Sequence, residues 1–128
     1  MGIIYVFSHS VVHIAIMMLI GLAFKLDAFG YFILFLSTAL VDLDHLQLWI
    51  KQGMRGYLLL RSVAELGKPR KYAFHKLYIL FIAGIAAAVL IYNNSLLPAV
   101  AFTAVALHLS WDLFEDMIIF KTGINHWI

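Results

Sequence analysis

Residues 97–120 read LPAVAFTAVALHLSWDLFEDMIIF. The run is close to the ~20 apolar residues needed to cross hydrocarbon. It does not alternate in period two, and a lone strand could not satisfy its backbone in lipid. It reads as a membrane-spanning helix with Pro98 near its start, where a missing N–H is harmless. Its second half carries what a lipid-facing helix avoids: His108, Asp112, Glu115 and Asp116.

Three similar runs precede it, Ile3 to Phe24, Phe29 to Ile50 and Phe74 to Tyr92. The whole chain agrees: 128 residues, 64% hydrophobic and 12% charged, with mean hydropathy +0.95, against roughly 45–50% apolar and about 25% charged in a soluble domain. That balance excludes a disordered chain, a nucleic-acid-binding domain and an ordinary cytosolic enzyme. The absence of Cys excludes disulfides, iron–sulfur clusters and thiol catalysis. The expected fold is all-α: a polytopic membrane protein, residues 1–128 forming one transmembrane four-helix bundle. Lys25 to Ala28 and Asn93-Asn94-Ser95 read as tight turns. The 51–73 connection is longer, and its first part reads as a short amphipathic helix on the membrane surface. Ala83, Gly84, Ala87 and Ala88 read as a close helix-packing face.

Seven of the nine Lys and Arg residues lie between Lys51 and Lys76. Short basic loops stay in the cytoplasm, so the reading is an integral cytoplasmic-membrane protein with the middle loop and both termini cytoplasmic. The same cations attract anionic lipid, and membrane lipid is the expected partner rather than nucleic acid.

Ionisable residues inside a bilayer cost at least ~2.5–3.5 kcal/mol each near its centre, yet five of the seven acids and five of the six histidines fall within or at the ends of the runs. Spacing sorts them. His9 and His13 are four apart on one helix face, Asp42 and His45 three apart on another, and His108 and Asp112 four apart, with Glu115 continuing the stripe. At ~1.5 Å per residue, His9, His13, Asp42, His45, His108 and Asp112 lie roughly 8–18 Å from the cytoplasmic ends of their helices. His75 sits at the cytoplasmic mouth of the third. All four helices thus offer polar groups at one level. Imidazoles mixed with carboxylates suit a divalent cation, zinc first, with iron(II) or manganese as alternatives. The ion also compensates the buried carboxylates. More than four candidate ligands leaves room for one or two ions, or for groups that orient the imidazoles. A bis-histidine haem would leave the carboxylates unexplained, and a transmembrane ion path would need polar residues in the outer halves of the first and third runs. His126, beside Trp127, reads as interfacial. No Gly-x-Ser-x-Gly elbow and no phosphate-cradling loop is present.

His9-x3-His13, Val41-Asp42-Leu43-Asp44-His45, Phe74-His75-Lys76 and His108-x3-Asp112 resemble, over residues 9 to about 116, a family of small bacterial and archaeal integral membrane proteins. That family is regarded as metal-dependent hydrolases, distantly similar to zinc phospholipase C and S1/P1 nuclease. The resemblance implies a metal site and phosphoester hydrolysis. By position, His13, Asp42, His45, His75, His108 and Asp112 would be ligands, with His9 and Asp44 in the same cluster. Many relatives carry a second His and a hydroxyl residue after the third-span His, where this chain reads His75-Lys76-Leu77-Tyr78.

Two functions follow as expectations. In one, the chain is a hydrolase acting at the cytoplasmic leaflet on the phosphoester of a lipid or lipid-linked substrate, with Asp44 as general base. In the other, the metal is structural and the chain is a non-catalytic subunit of a homo-oligomer or larger membrane complex.

Overall fold

The computed structural model describes residues 2–43, 74–119, 124 and 127–128. The 51–73 connection and its amphipathic helix lie outside them. The fold is all-helical: α1 (Gly2–Ala23), α2 (Ala28–Val41), α3 (Leu77–Tyr92) and α4 (Leu96–Phe114), the last running into a π-helical turn at Glu115–Ile119. Among the described residues there is no strand.

The two turns fall at Lys25 and Asn94, and both close with the same hydrogen-bond pattern. After α1, Leu26 N–H donates to Gly21 C=O (2.9 Å) and Lys25 N–H to Leu22 C=O (3.2 Å). After α3, Ser95 N–H donates to Leu90 C=O (2.9 Å) and Asn94 N–H to Ile91 C=O (3.0 Å). These paired bonds satisfy the last carbonyls of a helix and place one residue in the left-handed region, here Lys25 (φ 51°) and Asn94 (φ 55°). Asp27 then caps α2, its Oδ1 accepting from Gly30 N–H at 2.8 Å, as a short acceptor at that position should.

The centre of the bundle is α4, which packs against α1, α2 and α3. It buries Ala99, Val100, Ala104, His108, Leu109 and Asp112 along one stripe. Near the Lys25 and Asn94 turns, Ile20, Leu34, Val100 and Ala104 form an apolar core. Further along, Val41, Leu109 and Trp127 form a second. Gly21 admits the Tyr31 ring, which stands where a Cβ would be.

Two expectations need correction. The second run is not one helix to residue 50: α2 ends at Val41, and Asp42 takes a turn conformation (φ −81°, ψ 0°), so a shared helical face cannot be projected from Asp42 to residue 45. The four small residues of the third run do not share a face. Ala83 and Ala87 are buried, whereas a Cβ on Gly84 would meet nothing within 4 Å and Ala88 is exposed. Of the four expected spans, helix length and composition support one among the described residues. One described helix, Leu96–Ile118 with 23 residues, is long and apolar enough to cross a membrane; α2 and α3 are apolar but have 14 and 16 residues.

Candidate metal centre

Asp112 is the hub. It lies one turn beyond His108 on the buried stripe of α4, so the two side chains stack, with Asp112 Oδ2 3.2 Å from His108 Nε2. His75, two residues before α3, is hydrogen-bonded through Nε2 to the same oxygen at 3.0 Å. The other oxygen, Oδ1, is 3.4 Å from His13 Nε2 on α1. Asp42, at the end of α2, brings Oδ1 to 3.3 Å from His108 Nε2. The rings are close as well: the His13 and His108 centroids are 4.0 Å apart, those of His75 and His108 6.3 Å.

Asp42, His75, His108 and Asp112 each offer one donor atom within 4.8 Å of all the others, and the four form a cluster able to hold a metal ion. The spacing has a chemical meaning. Donors about 2.0–2.2 Å from a tetrahedral ion stand about 3.3–3.6 Å from one another. The His75–Asp112, His108–Asp112 and His108–Asp42 separations of 3.0, 3.2 and 3.3 Å approach that edge length. Two carboxylates and a divalent cation also sum to zero charge, the condition for burying them. His75, His108 and Asp112 are 5%, 1% and 7% exposed, while the Asp42 side chain is 41% exposed. The cluster therefore meets its surroundings at Asp42.

The remaining candidates divide. His13 stands against the hub carboxylate and the His108 ring, outside the four-residue set. Glu115 is buried (3%) where α4 passes into the π turn, also outside the set. His9 belongs to α1, its side chain outside the described residues, as are Asp44, His45 and His126.

One residue of this region was not singled out in the sequence. Trp127 is fully buried; its ring stands edge-on to His75 at 6.0 Å, its Nε1–H donates to Asp116 Oδ2 at 2.9 Å, and its carbonyl accepts from Leu77 N–H at 2.8 Å. That last bond satisfies one of the orphan N–H groups that open α3, so the tail fixes the segment carrying His75. A Trp near a chain end of an apolar protein reads as an interfacial anchor. Only Asp116 was a signal, as the acid that Nε1–H would need once buried.

No protein-family model, no curated protein and no solved structure matches the chain.

Proposed function

We propose that this chain is an integral membrane protein that holds a divalent cation, zinc first, on Asp42, His75, His108 and Asp112, and that it hydrolyses a phosphoester of a lipid or lipid-linked substrate at the cytoplasmic leaflet. One observation carries the metal reading: four donors from α2, the start of α3 and α4 lie within 4.8 Å of one another, three of the pairs at 3.0–3.3 Å. The membrane reading is supported by the outer surface. Leu19, Leu22, Phe35, Phe81 and Ile85 are each more than half exposed, large apolar side chains of the kind that a membrane-facing surface carries. Ser37, Thr38 and Ser110 turn their hydroxyls back onto Ile33, Leu34 and Ala106 carbonyls, which hides them from hydrocarbon.

A bound divalent cation supplies Lewis acidity toward a phosphoryl oxygen and an acidified water. The chain's own residues do the rest. Asp112 holds the His75, His108 and His13 imidazoles in register. The Trp127 carbonyl and ring hold the His75 segment. Asp42, the half-exposed ligand, marks the side from which substrate arrives. Asp44, two residues on in the sequence, is the proposed base. The non-catalytic reading also has support: four protein donors can fill a tetrahedral shell, as structural sites do, and the chain lacks the second His of its third run.

Elemental analysis of the purified protein tests the metal. About one ion per chain is expected, reduced by His108→Ala; equal metal in both proteins overturns the site. Hydrolysis of phospholipids and polyprenyl phosphates tests the enzyme, with Asp44→Asn expected to keep the metal and lower turnover about 10²–10⁴-fold. Turnover absent from the wild type leaves the structural-metal reading. For topology, single cysteines in Leu58→Cys and Asn94→Cys should give labelling by an impermeant thiol reagent in intact cells at 94 alone. Labelling at 58 alone overturns the orientation.

A further inference from the structure

An apolar cavity of about 360 Å³ lies between α2, α3 and the face of α4 that both pack on. Its size is within the ~300–1,000 Å³ of small-molecule sites. Among the described lining residues the one side-chain hydroxyl, that of Ser37, is committed to the Ile33 carbonyl at 2.7 Å, so this lining is apolar toward a guest. Its lining meets the metal centre in sequence at three places. Val41 and Leu43 flank Asp42, Phe74 precedes His75, and Leu109 follows His108.

We infer that this cavity seats one acyl chain of a membrane phospholipid and so presents the phosphate to the metal centre. The inference rests on the metal-binding reading above and narrows its substrate to a lipid gripped by its tail. Charge selects the occupant. The chain carries net +2, with seven of its nine cations between Lys51 and Lys76, next to His75 in sequence. A guest with an anionic head and an unbranched apolar tail complements a cation centre that continues into an apolar slot. A second copy of the chain would meet the first with like net charge, +2 against +2. The cavity lining neighbours Asp42, His75 and His108 in the chain, whereas the exposed residues Phe35 and Ile85 on the outer helix faces are not part of it.

The test uses metal-loaded full-length protein in detergent and a 16-carbon lysophosphatidic acid carrying a diazirine on its acyl chain. Crosslinks should concentrate on peptides containing Ala101, Phe102 and Val105. Affinity should exceed that for glycerol 3-phosphate at least tenfold. Ala101→Phe fills the slot without touching a ligand, and should weaken lysophosphatidate binding at least tenfold at unchanged metal content; Val105→Phe does the same should Ala101→Phe fail to fold. Crosslinks spread evenly over the outer helix faces, or wild-type affinity in a folded filled-slot variant, overturn the inference as annular lipid only. Stripping the metal separates the two readings. Crosslinks retained in the slot with the phosphate preference lost support both. Crosslinks in the slot of a protein that never held metal support the tail site and overturn the metal centre.

Discussion

The two ends of the bundle are made from the same helices by different physics. Toward the Lys25 and Asn94 turns, Ile20, Leu34, Val100 and Ala104 close a core of apolar side chains, held by dispersion and shape, which are non-directional and tolerate a change of residue at constant volume. Toward the other end, His13, His75 and His108 each stand 3.0–3.4 Å from Asp112, where every partner is specific and each loss strands the others. One helix, α4, passes from the first regime to the second between Ala104 and His108. Apolar packing positions the bundle, and the polar end spends that rigidity on a constellation that could not hold itself together.

Removing the hub should have the largest effect. Asp112→Ala leaves three imidazoles and Asp42 without the carboxylate that faces His13, His75 and His108, and breaking a buried charge network costs about 3–5 kcal/mol. Metal content by elemental analysis and the thermal midpoint in detergent should fall together. Asp112→Asn keeps the volume, so it should lose metal with a smaller fall in midpoint. If Asp112→Asn retains full metal, the hub role is wrong.

At the apolar end the comparison predicts a different pattern. Leu34 is fully buried, and Leu34→Ala should cost about 2–4 kcal/mol through lost contacts and a residual cavity. Metal content per folded chain should not change. A loss of metal as large as that of Asp112→Ala would show that the two ends are one cooperative unit and erase the distinction.

The same contrast governs what could be read in advance. Apolar run length, composition and turn chemistry are local, and they were enough for an all-helical bundle with breaks at Lys25 and Asn94. The i,i+4 pairing of His108 with Asp112 was legible for the same reason, since both ride one helix. The convergence of His75 and Asp42 on that pair needed only the rule that polar groups in an apolar chain seek each other. Three things were not local. The end of α2 at Val41 sits inside an apolar run with no glycine or proline to announce it. The outward turn of Gly84 depends on which face of α3 meets α4. The seating of Trp127 depends on a tail folding back eleven residues to Asp116, which periodicity cannot report.

The smallest expected effect sharpens the comparison at the turns themselves. Lys25 and Asn94 occupy equivalent positions, each in the left-handed region at φ 51° and 55°, each closing the same pair of hydrogen bonds. They differ in side chain. An ordinary L-residue pays roughly 1–2 kcal/mol for that conformation, whereas Asn visits it routinely. Glycine relieves the strain but gains freedom in the unfolded chain, a loss of about 0.4–1 kcal/mol. Lys25→Gly should therefore raise stability by up to about 1 kcal/mol, and Asn94→Gly should leave it unchanged or slightly lower. Neither should alter metal content, because both turns adjoin the apolar end. The measurement is the detergent thermal midpoint of the two variants side by side. Equal shifts would mean that backbone strain at Lys25 is relieved by something other than the residue's own conformation. A change in metal content from either variant would mean that the turns reach the polar end through α1 and α4, and that the apolar half transmits what it was expected only to support.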